Sequence, residues 1–363
     1  MDFSFLQKFG LGRLSWFGSE DQYVALDIGS SSVKLVEAAK DRAGYRLMNV
    51  GIAPLPPTAV QNNMVVEKAP IASAIRSVVR EHKITAKKVI SVVPGRAAII
   101  KKLQLPVQRE EELDANVEFE AANVIPESLE NVNLDYQVLN FLEEGTKMEI
   151  LVVAVKKEII NGYALAIEEA GLMPVIMDVD YFAMENMYET NYEASDELVA
   201  LVHVGARYTS INMLKGGISA FTGDLPLGGE AFTESLMEQL NIGYDQAESL
   251  KITGVLDGEK NLKVEELLDP LCHSLVEDIS RTLTLYGTMA AGEPAHRVYL
   301  SGGGSKFKPL APLLEKKLNV PVHLAEPFRA FTLARNVNRD AVADAALSLA
   351  VGAGLATRRP GDK

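Results

Sequence analysis

The 363-residue chain has a single cysteine, Cys272. One thiol excludes an intramolecular disulfide framework and fits a reducing compartment. The five histidines are scattered and none stands at zinc-ligand spacing from the cysteine. No apolar run approaches the roughly 18 residues that a membrane-spanning helix needs, so no span is expected. Positive charge is in deficit: 36 Lys and Arg face 49 Asp and Glu, for a net charge of −13. That balance argues against a nucleic-acid-binding face and gives no electrostatic pull toward anionic lipid. The start, MDFSFLQKFGLGRLSWFG, lacks the basic opening, continuous apolar core and small-residue cleavage pattern of a secretory signal. It carries Phe3, Phe5, Leu6, Phe9, Leu11, Leu14, Trp16 and Phe17 beside Lys8 and Arg13. Two readings stay open for it: a segment that docks on a partner or a bilayer surface, or a tail packed on its own domain or disordered.

What remains is ordinary globular material, 47% hydrophobic and 23% charged, long enough for two domains. The chain is organised around Val24 to Leu35, VALDIGSSSVKL. An apolar strand runs into Asp27, then a Gly/Ser turn, then Lys34. Backbone N–H groups approach phosphate oxygens closely only where side chains are small, as at Gly29, Ser30, Ser31 and Ser32. Lys34 neutralises phosphate charge in this reading, and Asp27 holds Mg²⁺ through water, since Mg²⁺ keeps several of its waters. The alternative is a β-hairpin with a Ser-rich turn. An echo stands 176 positions later, VALVHVGARYTSINML, with Gly205 in the place of Gly29. A repeated strand–turn–strand unit suggests two similar halves. A third Gly-rich turn, Gly302 to Gly304, follows the apolar run VYLS.

Periodicity places strands at 23–27, 33–38, 45–52 and 89–93, and a helix at 71–82. The APLPP that follows the third strand must be a loop, because Pro56 and Pro57 have no N–H to give. Between 101 and 175 the pattern reads strand, acidic helix (110–123), two strands (134–142 and 147–155) and helix (156–170). The acidic face is either a partner surface or a solvated face. A helix is expected from Asp178 to Tyr192, others at 232–240, 246–251 and 264–291, and an Ala/Gly-rich last helix at 341–355.

The order DIGSSSVK, second Gly turn, SGGG resembles the actin/Hsp70/sugar-kinase nucleotide-binding superfamily. Within it the chain resembles the PilM family of type IV pilus assembly, itself similar to FtsA. The carriers are DIGSSSVKLVEA, APLPPTAV, FEAANVIPESLENVNLDYQVL, MDVDYFAMENMYE and LGGEAFTESL. The resemblance implies an α/β, actin-like (ribonuclease H-like) two-domain nucleotide-binding fold with an FtsA-type (SHS2) inserted βαββα subdomain. Its implied divisions are an N-terminal segment (1–20), a first subdomain (21–100 with 176–197), the insert (101–175), a second subdomain (198–225 with 296–357) and a nucleotide-covering subdomain (226–295). It implies a cleft between the halves that binds ATP and Mg²⁺, with Gly205 and Ala206 on the opposite turn and Gly228 and Gly229 at the start of the covering subdomain. Glu248 and Lys251, one helical turn apart, would flank adenine and ribose; a plain ion pair is the alternative. Gly302, Gly303 and Gly304 would approach the adenosine, with Lys306 nearby. Two Ala/Gly-rich helices would meet under the cleft as a hinge.

One departure stands out. The superfamily's second turn opens with an aspartate that orders Mg²⁺ and the attacking water, and here His203 stands there. Phosphoryl transfer rests on positioning and charge neutralisation, so weak or absent hydrolysis is expected. Asp178 or Asp180 is the candidate replacement, Asp180 the named catalytic one; a structural His203 is the alternative. The implied role is a cytoplasmic scaffold, peripheral at the inner membrane through partners, serving pilus assembly and twitching motility. It would hold the N-terminal tail of PilN in a groove between the first and inserted subdomains. Contact with pilus motor ATPases and the platform protein, and self-association in a ring, are implied as well. The competing readings are an FtsA-like filament, disfavoured by a polar TRRPGDK tail, and a small-molecule kinase, which would need an aspartate base and a larger substrate lobe.

Overall fold

The structure is a computed structural model, and it describes residues 22–42, 44–254, 264–289 and 293–362. The apolar N-terminal segment lies outside the described residues. Contacts divide the chain into two units: residues 22–39, 49–180 and 355–362 form one, and 40–48 and 181–354 form the other.

In chain order the first part of the molecule contains β1 (Tyr23–Ile28), β2 (Ser32–Asp41), β3 (Gly44–Pro54), the short pair β4 (Val60–Gln61) and β5 (Met64–Val65), and α1 (Lys68–Glu81). It continues with β6 (Lys88–Val93), β7 (Ala98–Pro106), α2 (Glu110–Val124), β8 (Val132–Leu142), β9 (Lys147–Lys156), α3 (Lys157–Glu169), β10 (Met173–Val179) and α4 (Asp180–Asn191). The main sheet of the first unit runs β10-β6-β1-β2-β3. β1 pairs antiparallel with β2 and parallel with β6, and β10 is parallel to β6. Strands buried on both faces read as continuous apolar runs, as VALDI and VISVV do. Leu26, Ile90, Ile176, Ile71, Ile75, Tyr163 and Ile167 are among the residues that close this core. A second sheet, β7-β9-β8, is antiparallel throughout. α2 covers it through a core of its own, including Leu113, Val117, Ala121, Ile125 and Ile150. α3 packs against α1 and β10.

The second unit contains β11 (Leu198–Val204), β12 (Thr209–Lys215), β13 (Ile218–Leu225), α5 (Gly229–Leu240), α6 (Tyr244–Thr253), α7 (Val264–Met289), β14 (Arg297–Ser301), α8 (Leu310–Leu318), β15 (Val322–Leu324), β16 (Phe331–Leu333), α9 (Arg339–Ala345) and the part of α10 (Ala350–Thr357) up to Gly354. Its sheet runs β13-β12-β11-β14-β15. The stretch 40–48 counts with this unit, where Tyr45–Leu47 of β3 pairs in parallel with β16. The repeat seen in the sequence is in register. β1 and β2 pair Asp27 with Lys34, and β11 and β12 pair the equivalent His203 with Ser210. In each case the next strand over is parallel, β6 beside β1 and β14 beside β11.

Two expectations shift. Asp178 lies in β10 rather than a helix, because the apolar run MPVIMDV extends the strand to Val179. The last helix is broken: a 3-10 turn at Ala346–Leu349 separates α9 from α10. By length and composition Arg339–Thr357 would pass for a membrane span, yet Leu349, Ala350, Val351, Ala353, Leu355 and Ala356 are buried.

Candidate functional site

The sequence-predicted residues fall into one group in each unit. In the first, the Gly/Ser turn leaves the sheet at the C-terminal end of β1. The Gly29 N–H donates to the Ser32 carbonyl at 3.0 Å and closes the turn, and the Leu55 N–H donates to the Ser31 carbonyl at 2.8 Å, tying the proline-rich loop to it. Lys34 Nζ donates to Asp27 Oδ2 at 3.0 Å, with both side chains nearly buried. A carboxylate and an ammonium thus face each other across one rung of the ladder. A side chain on Gly29 would press on Lys34 Nζ, its Cβ 3.0 Å away. Asp180 stands at the first position of α4 and accepts the Gly95 N–H at 2.8 Å. Asp178, the other acid considered, is spent: it is 1% exposed and paired at 3.3 Å with Arg358. Burial pushes its pKa up, and Arg358 opposes that push. α3 adds Tyr163, fully buried, with its phenol held protonated by burial and by the charges of Asp27 and Asp180.

In the second unit three backbone turns converge. The Gly205 N–H donates to the Tyr208 carbonyl at 2.9 Å. The first two N–H groups of α5, of Gly229 and Glu230, donate to the carbonyls of Gly205 and Ala206 at 2.9 and 2.7 Å. Gly228 sits so near those carbonyls that a Cβ there would overlap the Ala206 carbonyl. Gly302 has φ +87° and lies against the Val204 carbonyl, so it needs both the left-handed conformation and the absence of a side chain. A Cβ at Gly229 would stand 3.3 Å from Gly304 Cα. Gly303 and Gly304 open a 3-10 turn that ends at Lys306.

α6 supplies the polar side of this group. Lys251 Nζ donates to Glu248 Oε2 at 2.6 Å, to Thr233 Oγ1 at 2.8 Å and to the Gly229 carbonyl at 3.1 Å. Thr233 Oγ1 in turn donates to Glu248 at 2.6 Å. The E-x-x-K pair is therefore anchored to the first turns of α5 rather than lying loose on a helix surface. Lys306 is half-buried; burial lowers its pKa, against the pull of Asp344 and Glu248. His203 Nδ1 lies 3.0 Å from Ser301 Oγ, across to the parallel strand β14. So where the first copy of the repeat makes an ion pair between β1 and β2, the second makes a His–Ser contact between β11 and β14.

Sequence reasoning missed Arg207, which donates from Nε to Glu230 at 2.8 Å, and Thr233, although both flank motifs already singled out. A cation one residue past a phosphate-type turn, with an acid in the first turn of the next helix, was the available signal. Tyr163 gave none, being one apolar-face position among several in α3. Among the described residues no group of three or more His, Cys, Asp or Glu side chains is placed to hold a metal on its own. A cation bound through water and phosphate is a different case.

Residues 25–360 match the family model for type IV pilus assembly protein PilM. Among solved structures, the chain is similar to that of a PilM–PilN type IV pilus biogenesis complex, with 28% identity, TM-score 0.81, and coverage of 92% of this chain and 97% of that one. It is more distantly similar to ethanolamine utilization protein EutJ from Carboxydothermus hydrogenoformans, at 14% identity and TM-score 0.57, over 93% of this chain and 90% of that one. The fold is actin-like.

Proposed function

The chain belongs to the PilM family of type IV pilus assembly proteins, and on that premise we propose that it is an ATP-binding cytoplasmic scaffold that grips the N-terminal tail of PilN. The observation that carries the nucleotide half is the convergence of Gly205, Gly228–Gly229 and Gly302–Gly304 beside the Lys251–Glu248–Thr233 network. Glycines packed so that a Cβ would overlap backbone make a cradle for a ligand that must meet the main chain closely. Within the second unit, Lys251 and Glu248 would face the adenosine of such a ligand; within the first, Gly29 to Ser32 with Lys34 make a turn of the phosphate-binding type. Asp27 would hold Mg²⁺ through water, and the ion would supply charge neutralisation on the phosphates. The partner half rests on the likeness to a PilM chain in a complex with PilN, with an extended or helical tail as the recognised form.

His203 gives the second turn no acid, so the nucleotide acts as a stabilising ligand rather than as fuel. The test is a thermal melt with and without Mg-ATP, on the wild type and on Asp27→Ala. Binding at about 100 dissociation constants adds about 2.7 kcal/mol. That is about 3–4 °C for one-step unfolding of a chain this long, and about twice that for a single unit. Asp27→Ala should lose the shift. A synthetic PilN tail should bind the Mg-ATP form more tightly than the empty form. Equal binding to both forms, or phosphate release driven by small polyols, would overturn the scaffold reading.

A further inference from the structure

Each copy of the strand–turn–strand unit carries a cation held by a carboxylate, and the two copies place that pair differently. The first turn is closed by the bond from the Gly29 N–H to the Ser32 carbonyl, and Lys34 on β2 pairs with Asp27 on β1. The second is closed the same way, from the Gly205 N–H to the Tyr208 carbonyl. There His203 and Ser210 stand in the places of Asp27 and Lys34. The cation sits inside the turn instead: Arg207 occupies the place of Ser31. Its carboxylate comes from the next helix, because Arg207 Nε donates at 2.8 Å to Oε2 of Glu230, the second residue of α5. This pair is not what joins the turn to the helix. The carbonyls of Gly205 and Ala206 already accept the N–H groups of Gly229 and Glu230. The Arg207 side chain is 25% exposed, so it is open to a ligand, and a partly exposed ion pair adds little stability of its own.

A guanidinium presents a planar fork of N–H donors that matches the oxygens of a carboxylate and of a phosphate alike. Phosphate carries more charge and more acceptor oxygens than the single carboxylate that Arg207 holds. From this geometry we propose that Arg207 is a phosphate-binding side chain of the second turn: it exchanges Glu230 for a phosphate of the bound nucleotide. Glu230 keeps the guanidinium oriented at the turn while no nucleotide is there. The inference rests on the nucleotide reading above and adds to it a side chain that the glycine cradle does not include. In a turn whose strand position offers His203 rather than an acid, the charge that faces a ligand is then positive.

The test compares Arg207→Gln and Glu230→Gln with the wild type. Three quantities are read: the ligand-free melting temperature, and the dissociation constants of Mg-ATP and of adenosine by calorimetry. Arg207→Gln should melt close to the wild type and bind Mg-ATP about tenfold more weakly, the worth of one charge-assisted contact. Its adenosine constant should not move. Glu230→Gln removes the competing carboxylate, so it should bind Mg-ATP more tightly, again with adenosine unchanged. If Arg207→Gln does not fold, Glu230→Gln decides alone. An unchanged Mg-ATP constant in both variants overturns the proposal and leaves the nucleotide reading intact. So does weaker Mg-ATP binding by Glu230→Gln, because the pair would then be a structural joint that the site needs whole. Equal weakening of Mg-ATP and adenosine in Arg207→Gln overturns it as well, since the effect would not lie at the phosphates. If the wild type binds no Mg-ATP, both readings fall together.

Discussion

At the scale of single residues, one pair decides more than its neighbours. Asp178 and Arg358 are 180 positions apart and are 1% and 11% exposed as side chains. Burial raises the Asp178 pKa above its ordinary value, so this carboxyl contributes most to stability when protonated. That contribution is present below the unfolded pKa and is lost as pH rises through the folded one. Arg358 is what makes the ionised form tolerable at neutral pH. Removing one partner of a buried pair leaves an uncompensated charge, a cost of about 3–5 kcal/mol. Arg358→Gln should therefore destabilise strongly at pH 7. The loss should shrink as pH falls toward 5, because without Arg358 the carboxyl takes up its proton more readily. Urea denaturation at the two pH values checks this; an equal loss at both would mean that Asp178 is not the cause. Cys272, also fully buried, has its thiol pushed up to about 12 by burial and Asp269, and thiolate chemistry is shut off there.

At the scale of elements, α4 and α10 approach closely at Gly354. A Cβ on Gly354 would overlap the carbonyl of Ala183 and crowd the Met187 N–H. Gly354→Ala should cost about 1–3 kcal/mol by forcing the two helices apart, read as a lower urea midpoint at unchanged slope. A neutral substitution would show that the helices separate freely. The small residues of that helix were visible in the sequence, and so were the strand–turn–strand repeat and the acidic α2. Each is a local pattern: a period, a glycine, a proline. What was not legible involves distance. The run MPVIMDV reads as the approach to a helix until β6 is seen beside it. The links from Arg207 to Glu230 and from Lys251 to Thr233 depend on how α5 meets the second turn and α6. Tyr163 looked like any apolar-face residue, because its ring packs as one and only its oxygen does not. Ala341 to Leu355 read as one helix because its composition is uniform; the 3-10 turn at Ala346–Leu349 has no Gly or Pro to announce it.

At the scale of the whole molecule, each unit has its own core. That of the second gathers Val202, Met213, Leu236, Leu268, Cys272, Leu275, Ile279 and Leu300 around α7. Chains with separate cores depart from two-state unfolding. Leu268→Ala should destabilise by about 2–5 kcal/mol, with the loss confined to peptides of 181–354 when amide exchange is followed by mass spectrometry. Faster exchange throughout 49–180 as well would mean that the chain opens as one body.

The return of the last residues to the first unit has a consequence for biosynthesis. Arg358 reaches Asp178, and Arg359 lies over the Tyr23 ring and donates to the Ala38 carbonyl. A ribosome adding about 5–20 residues per second needs roughly 10–40 s to get from Asp178 to Arg358. Through that interval the nascent chain carries a sheet whose innermost carboxylate has no countercharge. The half made first is therefore finished last, and a chain stopped short of Arg358 would leave the first unit without that countercharge.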